Sequence, residues 1–145
     1  MRKIDIVIKI FNHRIFLVGF LSIYCFIAIA QEIDTDMPIG WAVVPGNGVE
    51  STTGGGNGDI VTATSASQLD NYAGSSQPLV IRVEGSITGS GSINVASNKT
   101  IIGVGSNAKL TNLELKMSNV SNIIIRNLTI TGAVDGISTR RTTHV

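Results

Sequence analysis

The chain has 145 residues, which is enough for one domain. Residues 1–30 hold four of the 11 Lys and Arg side chains and one of the 10 acidic ones, so seven basic and nine acidic residues follow. This balance leaves no basic patch and argues against a nucleic acid partner. The one cysteine, Cys25, also lies in this first part. The rest of the chain therefore has no disulfide, and any metal site there would use oxygen ligands, which favours calcium or magnesium over zinc.

Residues 1–30 have the pattern of a secretory signal peptide. Four basic residues come before an uncharged run over residues 15–30, which ends in the small-x-small sequence Ala-Ile-Ala. The run is shorter than the roughly 20 residues of a membrane span, which disfavours the alternative of an uncleaved anchor. We therefore predict a secreted, extracellular protein that keeps no contact with the membrane after cleavage.

From residue 31 onward, the composition is typical of many short β-strands. Gly, Ser, Thr, Asn, Ile and Val are frequent, and the β-branched residues come in short runs that turn residues separate. The predicted strands are 41–44, 60–63, 79–83, 100–103, 113–117, 122–126 and 128–131.

One short helix is predicted between the first strands, over residues 66–73. Ser65 and Gln68 have the spacing of a capping box, and Gly74 is suited to end the helix in the left-handed conformation. Leu69, Tyr72 and Ala73 share one apolar face. We expect this helix to cap the N-terminal end of the domain.

The later strands recur with a drifting period of roughly 21–24 residues, and a period of this size predicts a coiled array in which each turn stacks on the previous one. Asn98 and Asn122 each follow a serine, and His144 stands at the corresponding place in the next repeat. Leucine-rich repeats share the period, but this chain has Ile, Val and Asn instead of regular leucines. A parallel β-helix fits better, with the asparagines left-handed at a turn and their amides stacked from coil to coil.

The repeat also predicts that only part of a solenoid is present. A solenoid needs about three or more coils and a terminal cap, and Val145 comes where a new coil begins. We therefore expect residues 31–145 to be the N-terminal part of a longer β-helix domain, truncated at its C-terminal side.

Five sequence blocks follow one another over residues 38–145. They are Pro38-Ile-Gly-Trp-Ala-Val, Ser51-Thr-Thr-Gly-Gly-Gly-Asn-Gly, Leu79-Val-Ile-Arg-Val-Glu-Gly-Ser-Ile-Thr-Gly, Ser97-Asn-Lys-Thr-Ile-Ile-Gly-Val-Gly-Ser-Asn-Ala-Lys-Leu and Ser121-Asn-Ile-Ile-Ile-Arg-Asn-Leu-Thr-Ile. In their order and spacing, these blocks resemble the pectate lyase superfamily, in particular polysaccharide lyase family 1. The resemblance implies a right-handed, all-β, single-stranded parallel β-helix.

The resemblance also implies a reaction. Members of the family cleave α-1,4-linked polygalacturonate, the backbone of pectate and pectin, by β-elimination with calcium, and an arginine takes the C5 proton. Calcium with hard oxygen ligands neutralises the uronate carboxylate, which makes that proton more acidic. An arginine base needs a pKa that surrounding positive charge has lowered. We expect the full-length protein to be a monomer.

Only a few residues of this chain match the functional residues of the family. Asp135 matches the aspartate that reaches calcium, whereas Ala133 stands where many members have a second acidic ligand. Arg140 and Arg141 follow on the coil near Asp135 and are candidates for binding the uronate chain, although exposed arginines on a strand are usually solvated. No catalytic residue is identified within the chain, because the resemblance places the catalytic arginine beyond Val145, so we expect the chain by itself to be inactive.

Other interpretations of these patterns stay open. The protein could be a non-catalytic β-helix, such as a carbohydrate-binding module or a surface adhesin, or a polygalacturonase-type hydrolase on the same fold. Asp135 followed by glycine is also a common turn sequence. The glycine-rich segment 54–58 lacks the residues of a phosphate-binding loop, which favours a flexible loop, and His144 is more typical of a structural than of a catalytic histidine.

Overall fold

The computed structural model describes Pro38 and residues 40–145. The predicted signal peptide, residues 1–30 with Cys25, lies outside the described residues. Within the described part of the chain, no helix has both the length and the apolar character that crossing a membrane requires.

The described chain forms a parallel β-helix of about four turns, as the repeat predicts. All pairings between its strands are parallel, and each coil lies beside the next one along the sequence. The elements are β1 (Asp59–Ala63), α1 (Ala66–Ala73), β2 (Leu79–Asn94), β3 (Lys99–Ser118), β4 (Ile123–Arg126), β5 (Thr129–Thr131) and β6 (Ile137–Arg140).

The two long strands, β2 and β3, bend so that each contributes to three faces of the coil. Their first parts pair with β1 and β4 in the first face, the middle of β3 pairs with β5 in the second face, and their last parts form the third face with β6. The register shifts at the corners, where Gly85 and Gly91 have φ values of 72° and 87°. Glycine adopts these values without steric cost, which explains why the bends fall there.

The core lies inside the coil and is built from stacked aliphatic side chains. In β2 and β3, buried and more exposed residues alternate, as expected for strands with one face inward. Ile81 stacks on Ile101 and Leu115 on Ile93, and all four are at most 3 % exposed. Each such side chain contributes about 1.5–3 kcal/mol through its burial.

Helix α1 begins and ends where the sequence predicts. Ser65 Oγ accepts a hydrogen bond from the Gln68 amide at 3.3 Å, while Leu69 and Ala73 are fully buried in the core. The predicted left-handed end was wrong, because Gly74 is right-handed with φ −79°. Its amide donates to the Asp70 carbonyl at 2.9 Å and so continues the helical hydrogen bonding.

The strand predicted at 41–44 was also wrong, because Gly40–Val43 form a 3-10 helix. The β-branched residues there favour a strand, but no neighbouring strand pairs with them. Instead, the amide and the hydroxyl of Thr52 donate to the Ala42 carbonyl at 2.9 and 2.7 Å. Hydrogen bonds within the segment thus replace a sheet.

Residues 40–58 form a strap that contacts turns of successive coils, which we call the N-terminal strap. The Gly55 amide donates to Thr100 Oγ1 at 2.9 Å, and the Gly54 amide donates to Asn122 Oδ1 at 2.7 Å. Gly54 and Gly55 are buried. The interpretation of 54–58 as a flexible loop was therefore wrong, because these glycines pack against the coils.

The asparagines of the repeat are left-handed, as predicted. Asn98, Asn122 and His144 have φ values of 59°, 62° and 58°. Asn122 Nδ2 donates to Asn98 Oδ1 at 2.7 Å, which stacks the two amides. His144 bonds instead with the strap, where its Nε2 lies 3.0 Å from the Val44 carbonyl oxygen. Since a carbonyl only accepts, this nitrogen carries the proton, and the contact is structural.

Lys99 is a fully buried cation between two apolar neighbours. In the sheet register it lies between Leu79 and Ile123, and none of its surface is exposed. Its ammonium group donates to the carbonyls of Gln77 and Ser97 at 2.7 and 2.9 Å. Burial away from water lowers the pKa of Lys99 below its ordinary value.

This lowered pKa gives an expected pH dependence of stability. Between the folded-state pKa and the ordinary value of 10.5, the unfolded chain binds more protons at Lys99, so the free energy of unfolding rises with pH in that window. We expect urea unfolding at a series of pH values approaching 10.5 from below to show the wild type gaining stability relative to Lys99→Met as the pH rises. Lys109→Met is the matched control. An equal pH response of the wild type and Lys99→Met would contradict the burial of a charged amine.

Candidate functional site

The third face presents small polar and charged side chains outward. Its inward positions are apolar, such as Leu115, which pairs with Ile137 of β6. Its outward positions alternate with them along the strands. They are occupied by Ser92 and Asn94 of β2, Glu114, Lys116 and Ser118 of β3, and Ser138 and Arg140 of β6.

Asp135 lies directly before β6, at the edge of this face. It is exposed, and the neighbouring Gly136 accepts a hydrogen bond from the Leu115 amide at 3.0 Å through its carbonyl oxygen. That bond fixes the backbone beside Asp135 while the carboxylate stays accessible. An accessible carboxylate on a fixed backbone can act as a metal ligand, which is the role that the resemblance implies for it.

The structure places the two predicted arginines at the other end of β6. Arg140 is its last residue and pairs with Ser118, and Arg141 follows in a left-handed conformation with φ 49°. Asp135 lies before β6 and the two arginines lie at its C-terminal end, and the extended chain between Asp135 and Arg140 spans up to about 16 Å. A carboxylate thus precedes β6, and two cations lie at its C-terminal end.

Sequence reasoning missed Glu114, which connects three successive coils. One carboxylate oxygen accepts a hydrogen bond from Ser92 Oγ at 2.7 Å, and the other accepts one from Ser138 Oγ. These bonds, first from Ser138 and then from Ser92, lower the pKa of Glu114, and the charge of Lys116 lowers it further. The spacing could have indicated the network, because Ser92 precedes Glu114 by 22 residues and Ser138 follows it by 24.

The described residues do not by themselves complete a calcium site. Calcium takes six to eight oxygen ligands, several of them from carboxylates. Asp135 is the right kind of ligand, but nowhere in residues 40–145 do three or more His, Cys, Asp or Glu side chains come together as a metal site. Ala133, where the resemblance implies a second acid, offers no oxygen from its side chain.

A groove of about 450 Å³ lies beside the N-terminal strap. The asparagine amides at its wall are engaged with each other, and the amides of Gly54 and Gly55 donate to Asn122 and Thr100. A phosphate-binding loop needs free amides, so this groove is a product of packing rather than a cradle for an anion. Its lining residues are Thr53–Gly58, Pro78, Asn98 and Asn122.

The chain is similar to known pectate-degrading enzymes. It is 46 % identical over 100 residues to pectate lyase plyB of Emericella nidulans, which covers 69 % of this chain and 29 % of the relative. It is 37 % identical over 100 residues to the pectate trisaccharide-lyase of Thermotoga maritima, covering 67 % of this chain and 27 % of the relative. The chain thus spans less than a third of the length of these relatives.

A solved structure and a family model agree with these relatives. The crystal structure of a pectate lyase from a Bacillus species in complex with trigalacturonate has a TM-score of 0.61 and 30 % identity, and covers 72 % of this chain and 38 % of that chain. The family model described as pectate lyase matches residues 16–139, which is most of the chain. The chain therefore belongs to the pectate lyase family.

Proposed function

We propose that the full-length protein cleaves pectate, the α-1,4-linked polygalacturonate of pectin, by β-elimination. The observation that carries this proposal is the third face, an open polar surface with accessible charges on a fold whose solved relative was crystallised with trigalacturonate. In the reaction, a base removes the C5 proton, the C4–O bond breaks, and a double bond forms between C4 and C5. Within residues 40–145, no residue is assigned as that base.

Calcium belongs to this proposal, with Asp135 as one of its oxygen ligands. A bound calcium ion would neutralise the uronate carboxylate and so make the C5 proton more acidic. The residues of this chain contribute binding and orientation. Asp135 offers a carboxylate on a backbone fixed by Leu115, and Arg140 and Arg141 offer cations for the uronate chain.

The protein is also proposed to be secreted, with residues 1–30 as its signal peptide, and to act as a monomer in its full-length form. The basic start, the uncharged run and the small-x-small end of the leader support secretion. The proposed substrate supports it as well, because a long polysaccharide is met outside the cell.

Binding of trigalacturonate to the 145-residue chain tests this function. By calorimetry, we expect calcium to tighten binding to the wild type but not to Asp135→Asn, by about three- to tenfold. Asp70→Asn removes an exposed aspartate of α1 and is the matched control. We expect binding without unsaturated product, measured by ultraviolet absorbance, because these residues hold no assigned base. Equal binding of the neutral galactotriose would contradict the proposed substrate.

A further inference from the structure

The three faces of the coil differ in the cations that they carry outward. The first face has Arg82 and Arg126, which are both half-buried and have an uncharged coil between them. The second face has Lys109, which pairs with Ser and Thr residues of the adjacent coils. The third face has Lys116 on β3 and Arg140 on β6, which are both exposed and belong to adjacent coils. Among the described residues, the third face is therefore the one that brings two exposed cations together on adjacent coils.

Lys116 and Arg140 are close enough to act together. Lys116 pairs with Ser138, which is two residues before Arg140 in β6. Adjacent strands are about 4.8 Å apart and two residues of a strand span about 6.6 Å, so the two Cα atoms are separated by about 8 Å. Both side chains are long enough to reach one bound oligosaccharide from this distance.

Lys116 and Arg140 keep their hydrogen-bond donors for a ligand, although Lys116 has an acidic neighbour in Glu114. Within residues 40–145, Lys116 Nζ and the Arg140 guanidinium make no hydrogen bond and no ion pair with another residue. Glu114 interacts electrostatically with Lys116, whose charge lowers the pKa of the Glu114 carboxyl group, but both carboxylate oxygens accept their hydrogen bonds from Ser92 and Ser138. The positive charges thus remain available to an anionic ligand.

The surroundings leave room for an extended ligand. Along the sheet register, the neighbours of Lys116 are Asn94 and Ser138, and the neighbour of Arg140 is Ser118. These are small polar side chains that can donate hydrogen bonds to sugar hydroxyls. The register neighbours of the two cations are therefore small and polar.

We propose that Lys116 and Arg140 form a carboxylate-binding pair that holds successive uronates of a polygalacturonate chain on the third face. This inference rests on the proposed function and adds Lys116, a residue that sequence reasoning did not single out. The pair binds the carboxylates by charge-assisted hydrogen bonds, for which a neutral sugar offers no acceptor of equal strength.

Trigalacturonate is titrated into the full chain and into three variants, with the neutral galactotriose as the reference ligand. We expect Lys116→Gln and Arg140→Gln each to weaken trigalacturonate binding by about three- to tenfold, with a smaller difference at high salt. Lys109→Gln removes a lysine with equally neutral neighbours from the second face and is expected to bind as the wild type does. Backbone NMR shifts on titration should concentrate at Asn94, Lys116 and Ser138.

The outcomes separate this inference from the proposed function. The wild type could prefer trigalacturonate over galactotriose while Lys116→Gln binds trigalacturonate as tightly as the wild type does. In that case Lys116 and Arg140 do not form a carboxylate-binding pair, and the proposed function stands. An equal loss in all three variants would show general charge attraction and would also overturn the pair. If the wild type binds trigalacturonate no better than galactotriose, both the proposed function and the pair fail.

Discussion

Replacing Asn122 by alanine is expected to lower the free energy of unfolding by about 4 kcal/mol. Asn122 is only 8 % exposed, and its Oδ1 accepts hydrogen bonds from the amides of Thr53 and Gly54, both at 2.7 Å. Its Nδ2 donates to Asn98 Oδ1 at 2.7 Å and to the Gly54 carbonyl at 3.2 Å. The alanine variant loses all of these bonds and leaves the buried Gly54 amide without an acceptor. Urea unfolding followed by circular dichroism measures the change.

Asn119→Ala is a matched control for this variant. Asn119 is left-handed like Asn122, with φ 55° against 62°, but it is exposed and takes no part in the stacked amides. Both variants place alanine in a strained backbone conformation, at a cost of about 1–2 kcal/mol. The difference between them therefore measures the side-chain hydrogen bonds of Asn122. Equal losses would mean that backbone conformation alone explains why the repeat has asparagine at this place.

Asn122→Asp separates the contribution of the Asn122 acceptor to stability from that of its donor. Aspartate keeps an acceptor for the two strap amides but loses the donor, and it places a carboxylate oxygen close to Asn98 Oδ1. We expect a loss of stability between those of Asn119→Ala and Asn122→Ala. An unchanged free energy of unfolding would show that the contacts with the strap, rather than the stacked amides, account for the stability.

Replacing Gly103 by alanine is expected to lower the free energy of unfolding by about 3 kcal/mol or more, although the backbone conformation of Gly103 suits any residue. A Cβ atom at this position would lie 1.9 Å from the Asn127 carbonyl oxygen and 2.5 Å from Ala108 Cβ. Gly103 pairs with Val83 in the interior of the coil, so the neighbouring backbone of the next coil would have to move. Thermal unfolding measures the effect.

Gly105→Ala provides the comparison two residues away. Gly105 has φ 68°, but a Cβ atom there would meet nothing within 4 Å. The strain of an alanine in this left-handed conformation alone is expected to lower the free energy of unfolding by about 1–2 kcal/mol. We therefore expect the glycine with the ordinary conformation to be the more sensitive one. The reverse order would show that the coils can separate enough to admit a methyl group.

The repeat allowed the fold to be predicted because a β-helix stacks equivalent residues. Asn98, Asn122 and His144 indicated both the coil period and their own left-handed conformation. Helix α1 was predictable from its cap at Ser65 and its apolar face. The strand prediction at 41–44 failed because β-branched residues favour a strand only where a partner lies beside them.

The site was less predictable than the fold. Asp135 came from the family resemblance, and Arg140 and Arg141 were chosen because they follow it on the same coil, but the structure places the arginines at the opposite end of β6 from Asp135. Glu114 and Lys116 carry no motif of their own. Their importance depends on which residues of other coils lie beside them, and single-strand patterns do not contain that information.

The N-terminal strap has a consequence for the order in which the chain folds. Its contacts are far apart in sequence: Gly54 bonds with Asn122 across 68 residues, and Val44 bonds with His144 across 100. Closing such loops is entropically costly and slow, whereas each coil can form on the preceding one. During synthesis, the strap leaves the ribosome before the coils do, but it finds its binding partners only after the coils with Asn122 and His144 have emerged. The earliest part of the described chain is thus expected to dock last, in a slow phase that Asn122→Ala would remove.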